Sequence, residues 1–264
     1  MPIPLLGWVG IVVVAFWLIM AVFGPMLTPH PAGEVIDPDG FGPMVPGMWL
    51  GSDVLGRDVL SRIMAGAQTT VGPAIAATLL AVFIGGTLAL AAAAVGGWID
   101  TALSRTMDAV ISVPSLLFGL VAVAALGVSV PVLICTAGVI YVPGAFRIWR
   151  SLAVNVNAMD YVSVARERGE GMPYIMRREI LPNLLGPVLA DCGLRFVFAV
   201  LLLSSLSFLG LGIQPPDADW GSMVRENLPG LIYGAPAAIF PAAALATLTI
   251  GVNLLVDNLP GRER

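Results

Sequence analysis

The chain has 264 residues, of which 58% are hydrophobic and only 11% charged, and its mean hydropathy is +0.91. Soluble domains carry about 25% charged residues, so this composition is that of a membrane protein. The net charge of −4 comes with no basic patch interleaved with aromatics, so nucleic-acid binding has no support, and the absence of lysine excludes a Walker A lysine and Schiff-base chemistry in this chain.

Leu5–Leu27 is the first apolar run, long enough to cross a ~30 Å hydrocarbon core. It lacks the positive n-region of a cleaved signal peptide, so it reads as a retained helix. Residues 28–70 are polar and rich in Pro and Gly. They hold His30, the only histidine, with no partner for a metal site. Within this loop Asp53, Arg57, Asp58 and Arg62 recur at three to five residues, which predicts a short amphipathic helix with ion pairs on one face and turns at Gly51 and Gly56. The second span is Val71–Trp98, whose small residues predict close helix packing, loosened at Gly85-Gly86. A short turn follows at Asp100–Arg105. The third span is Thr106–Val128, kinked at Pro114, and the fourth is Pro131–Trp149, with Arg147 and Arg150 as an interfacial collar. The fifth, Leu184–Ile213, carries Asp191 and Arg195 four apart on one face. A polar loop over 214–232 leads to the sixth span, Tyr233–Val256. Cys135 and Cys192 lie in apolar runs and read as buried free thiols. The fold class is therefore all-α: one polytopic domain over 1–264 with six transmembrane helices.

The stretch 155–183, NVNAMDYVSVARERGEGMPYIMRREILPN, interrupts this pattern. It holds Asp160, Arg166, Glu167, Arg168, Glu170, Arg177, Arg178 and Glu179 between two membrane-length runs. Nine arginines, Arg105, Arg147, Arg150, Arg166, Arg168, Arg177, Arg178, Arg262 and Arg264, share its side of the membrane, against Arg57, Arg62 and Arg225 on the other. The positive-inside rule puts the stretch and both termini in the cytoplasm and the loops 28–70 and 214–232 outside. Asp160–Arg168 reads as a helix capped by Asn157 or Asp160, with Val162, Ala165 and Gly169 forming a small, smooth face suited to a groove on another protein. Gly169 and Gly171 turn the chain, and Pro173 fits the first turn of a second helix. The plain alternative is a solvated loop.

YVSVARERGEGMPYIMRREILPN resembles the cytoplasmic "EAA" coupling loop of ABC importer permeases: Ser163-Val164-Ala165 stand at the triplet, Gly169 at the glycine, and Ile180-Leu181-Pro182 close the motif. LGSDVLGRDVLSRIMAGAQTT, from Leu50, is similar to a segment of the dipeptide/oligopeptide/nickel permeases of the "C" type. SLSFLGLGIQPPDADWGSM, Ser205–Met223, is similar to another. The order matches, and the three matches span Leu50–Met223. Departures are Ser163 for the motif's glutamate, Val164 for its first alanine, Leu203 where a glutamate is often found, and a nearly absent amino-terminal cytoplasmic segment. The resemblance implies a permease subunit in the cell inner membrane. It would pair with a second permease subunit, two ATP-binding subunits and an external solute-binding protein, with ATP and Mg on the ATPases and no cofactor here. It makes Asp160, Tyr161, Val162, Ser163, Val164, Ala165, Arg166, Glu167, Arg168, Gly169, Glu170 and Gly171 the docking residues, and a peptide the expected substrate, with nickel chelate or another small solute as runner-up.

Asp191, Arg195 and Ser204 are candidates for the pathway, since intramembrane charge should face the bundle interior or water. A self-neutralising i, i+4 pair is the competing reading of the first two. Catalytic and metal sites are expected to be absent. One histidine in a loop supplies neither an intramembrane Ser–His dyad, despite Gly127-Val128-Ser129, nor HExxH. A stand-alone secondary transporter would be expected to show inverted repeats and paired broken helices, and no clear repeat is visible.

Overall fold

A computed structural model describes residues 4–214, 217 and 219–258. Ten α-helices follow in chain order: α1 Leu5–Leu27, α2 Val59–Val95, α3 Gly97–Ile111, α4 Ser115–Leu126, α5 Val130–Asn157, α6 Asp160–Glu167, α7 Met172–Tyr174, α8 Leu181–Phe208, α9 Trp220–Asn227 and α10 Ile239–Asp257. Among the described residues, five continuous helical stretches are long and apolar enough to cross a membrane. A sixth crossing requires α3 and α4 together, which meet at 83°. The all-α reading with six spans therefore holds, with one span broken.

Several boundaries differ from those expected. The second span begins at Val59, not Val71, because Asp58 caps α2: its carboxylate accepts from the Ser61 amide at 3.0 Å. The short amphipathic helix before it is absent; Asp53 and Arg57 sit in a turn, and Arg62 lies in the first turns of α2. Asp100–Arg105 is helical, part of α3. Pro114 does not kink a continuous helix but starts α4 as its N-cap, since the residue before a proline is pushed out of helical geometry. The fourth span runs on to Asn157, so Arg147 and Arg150 lie within α5. The sixth span is preceded by 3₁₀ turns over Leu228–Tyr233 and Pro236–Ala238, and its α-helix begins only at Ile239.

The bundle is built on backbone proximity. A Cβ at Gly85 would stand 2.6 Å from the Val142 carbonyl, and one at Gly86 would enter the Trp149 ring. These glycines tighten α2 against α5 rather than loosening it. Gly10 does the same for α1 on α10, where a Cβ would meet the Leu255 amide at 2.6 Å. Lipid supplies little hydrophobic drive between helices, so small residues that admit dispersion contacts hold the bundle. Two apolar clusters result. One surrounds Val59, Leu206, Trp220 and Leu248 near the start of α2, and the other surrounds Ala89, Phe146, Val162 and Ile180 near its end. Both cysteines are free thiols, but Cys135 is exposed on the surface of α5 and Cys192 only half-buried.

Candidate functional site

At the carboxyl end of α2 the stretch 155–183 folds into a helix, a glycine turn and a second helical segment. Helix α6 starts after Met159, with no side-chain cap; neither Asn157 nor Asp160 fills that role. Asn157 instead donates to the Ala93 carbonyl (3.0 Å), and Arg166 donates to the Ala94 carbonyl (2.9 Å) and to Asn157 Oδ1 (2.8 Å). The last carbonyls of a helix have no intrahelical partner and carry partial negative charge, so these two side chains both satisfy and neutralise the end of α2. Helix α6 ends in a Schellman turn: the Gly169 amide donates to Arg166 O (2.9 Å) and the Glu170 amide to Ala165 O (3.2 Å), with Gly169 at φ +78°. Gly169→Ala is expected to destabilise this turn by about 1–2 kcal/mol, the cost of a left-handed Cβ. Faster hydrogen exchange confined to 160–175 would show it.

The small face lies opposite to the side expected. Val162 is fully buried and Ala165 nearly so, and Val162 clusters with this chain's own Ile175 and Ile180 rather than being offered to a partner. What α6 exposes is Asp160, Tyr161, Ser163, Val164, Arg166, Glu167 and Arg168, followed by Gly169 and Gly171. Glu170 is half-buried. Pro173 stands in the first turn of α7, as expected. The chain then runs through a π-helical segment, Ile175–Ile180, straight into α8; the Leu181 amide reaches Met176 O. Pro182 has no amide to give, and the wider turn before it accommodates the loss. Met172–Phe208 is thus one continuous helical run of 37 residues, with a membrane-length apolar stretch inside it. The Gly169–Gly171 turn joins α6 to this run.

Asp191 and Arg195 come together on α8. Arg195 Nε and Nη2 each donate to an Asp191 oxygen at 2.8 Å, Arg195 Nη1 donates to the Tyr141 carbonyl (3.3 Å), and Trp149 Nε1 donates to Asp191 Oδ2 (3.3 Å). Both side chains are buried, and Gly144 makes room for them: a Cβ there would stand 2.5 Å from Arg195 Nη1. The geometry is the self-neutralising pair, locked between α8 and α5.

At the opposite end of α2, Asp53 is fully buried and accepts from the amides of Leu55 (2.8 Å) and Arg57 (2.9 Å), from Arg57 Nε (2.8 Å) and from Arg62. Glu226, from α9, completes a four-member network with Arg57 (3.1 Å) and Arg62 (3.2 Å). Asn227 bonds the Val54 amide (3.0 Å), and Trp220 Nε1 donates to Ile63 O (3.0 Å). Sequence reasoning found Asp53, Arg57, Asp58 and Arg62 but missed Glu226, Asn227 and Trp220, because their partners lie more than 150 residues away. Asp219 caps α9 through the Gly221 and Ser222 amides (2.8 and 3.2 Å), and burial pushes its carboxyl above the usual range. Ser204 is close by: both border one small, mostly apolar cavity with Thr70, Ser207, Leu133 and Leu203. A folded-state pKa raised above the unfolded value of about 3.9 adds stability fully present below that value and lost as pH rises through the folded one. Asp219→Asn keeps the cap and cannot ionise. The thermal midpoint of wild type relative to this variant is therefore expected to fall as pH rises from 4 to 7.

Residues 81–264 match the family of binding-protein-dependent transport system inner membrane components. The chain belongs to that family. It is 31% identical over 255 residues to the dipeptide transport system permease protein DppC of Alkalihalophilus pseudofirmus, covering 96% of this chain and 84% of the relative. The glutathione transport system permease protein GsiD of Pectobacterium atrosepticum is 31% identical over 94% of this chain and 81% of its own length. The probable D,D-dipeptide transport system permease protein DdpC of Escherichia coli K12 is 30% identical over 94% and 83%. The permease is thus a transport-system membrane component, and the relatives' names describe permeases rather than catalysts.

Proposed function

We propose that this permease is one of two different membrane subunits of an ATP-driven importer of small peptides, and that the exposed side of α6 docks a cytoplasmic ATPase. The observation that carries the docking is the division of α6: Val162 and Ala165 are spent on this chain's own core, while Tyr161, Ser163, Val164, Glu167 and Arg168 are open, on a helix that only the Gly169–Gly171 turn separates from the helical run ending in α8. Two ATP-binding subunits supply ATP and Mg chemistry, and an external solute-binding protein delivers substrate to the Asp53–Glu226 end. Arginine asymmetry supports a cytoplasmic α6, with both termini on that side. The peptide class rests on the relatives, whose names specify dipeptides, D,D-dipeptides and glutathione.

Purification of the chain from its native membrane in mild detergent tests the assembly. A second six-span permease and Walker-A ATPases are expected to co-purify, and the reconstituted complex to take up labelled dipeptide only with ATP. Val164→Asp, on the open side of α6, is expected to cut uptake at least about tenfold while the two permease subunits still associate; a like charge or lost apolar contact at an interface centre has that scale. Recovery of the chain alone, with uptake independent of ATP, would overturn the reading.

A further inference from the structure

A second ion pair contrasts with Asp191–Arg195. Arg147 Nη2 meets Asp108 Oδ1 at 2.6 Å, joining α5 to α3, yet the two side chains are 55% and 47% exposed. Arg147 lies 17 residues along α5 from Val130 and ten from Asn157, inside a helix long and apolar enough to cross the ~30 Å layer. Exposed charge at that depth is too costly to face lipid and belongs beside water or protein. A separate feature points the same way. The backbone breaks at Ser112–Pro114, where α3 and α4 meet at 83°, and this segment is also exposed. Non-helical backbone at membrane depth is tolerated only inside protein or along a water-filled cavity.

The pair and the break share one seam. Ile111 is three residues from Asp108 on α3, and Ile140 seven from Arg147 on α5, so each couple lies on one helix face. Between them the elbow encloses a cavity of about 230 Å³ bordered by Val110, Ile111, Pro114, Phe118, Ile140 and Tyr141. The seam thus has an acidic and a basic group at one end and a mostly apolar hollow about 5 Å from Asp108 along α3 and about 10 Å from Arg147 along α5.

Resting on the importer reading above, we infer that Asp108 and Arg147 face the translocation pathway and bind the charged ends of a zwitterionic peptide, while the elbow cavity seats an apolar side chain. Asp108 takes the ammonium. Arg147 takes the carboxylate through its planar donor fork. The termini of an extended dipeptide lie about 7 Å apart, so binding both must part the 2.6 Å pair. The exposure that makes this pair open to solute also makes it weak: an exposed ion pair is worth no more than about 1 kcal/mol, so a peptide can part it at little cost. The buried Asp191–Arg195 pair has no such freedom.

The test uses the whole importer, with its ATPases and binding protein, in proteoliposomes. Uptake of a labelled free dipeptide is competed with the same peptide, its N-acetyl form and its C-terminal amide. The binding protein is common to all samples, so any change between wild type and variant belongs to the permease. Asp108→Asn is expected to erase about tenfold of the preference for the free ammonium end, and Arg147→Gln about tenfold of the preference for the free carboxylate, as charge-assisted hydrogen bonds imply. A pair that only braces α3 on α5 would change uptake of all three equally, which would overturn the inference. Asp108→Cys, with Cys135→Ser and Cys192→Ser, should react with a water-soluble thiol reagent in the assembled complex and be protected by dipeptide. Lack of reaction would place Asp108 against the second permease instead and equally overturn it. If wild type itself fails to move dipeptide, it is the importer reading that falls.

Discussion

Asp53→Ala is expected to destabilise the permease by about 3–5 kcal/mol, the scale for removing one partner of a buried charge network. Asp53 is fully buried and serves Arg57, Arg62 and two backbone amides. Its loss leaves two buried guanidinium groups with only Glu226 between them, and releases the turn that leads into α2. Because Glu226 belongs to α9, the damage should spread to the second loop. Protease cleavage near both 37–58 and 219–233 would report it, together with a large fall in thermal midpoint. Asp53→Asn keeps the amide contacts through Oδ1 but sets an NH2 donor where Oδ2 accepted from Arg57 and Arg62, so it should recover only part of the loss. A midpoint within a degree of wild type for Asp53→Ala would show that water already solvates this network.

Arg195→Ala is expected to be as costly, about 3–5 kcal/mol, because it strands the Asp191 carboxylate between α8 and α5 with only the Trp149 indole to answer it. The informative companion is Asp191→Leu with Arg195→Met. Replacing a buried pair by apolar groups of similar volume is often neutral or stabilising. The double variant is therefore expected to recover the midpoint and retain peptide uptake. Recovered stability with uptake still lost would return these residues to the pathway. Gly144→Ala provides an independent check: the added methyl would stand 2.5 Å from Arg195 Nη1, so it should loosen the pair without removing any charge.

Much of this was legible in the sequence because lipid imposes a simple rule. Backbone polar groups must be satisfied internally, so long apolar runs become helices, and the charged stretch 155–183 must leave the membrane. Gly169 could be placed as a helix terminator and Pro173 as a helix starter, since both act through local backbone geometry. Asp191 and Arg195 could be paired by their spacing alone.

Direction and distance were beyond that reach. The periodicity of Val162 and Ala165 marks a face of α6 but cannot say whether a partner or this chain covers it; the fold turned it onto Ile175 and Ile180. Pro114 gives the same local signal for a kink as for a break, and packing of α3 and α4 against α5 decided for an 83° elbow. Spacing predicted ion pairs among Asp53, Arg57 and Arg62, yet no local rule brings Glu226 to them. The sequence by itself determined the all-α membrane class, the polar stretch and its turns, because composition, hydropathy and backbone restrictions act residue by residue. The tertiary structure alone decided which side of α6 is free, which charges are buried together, and that Asp108 and Arg147 remain exposed, because burial depends on contacts between residues far apart in the chain.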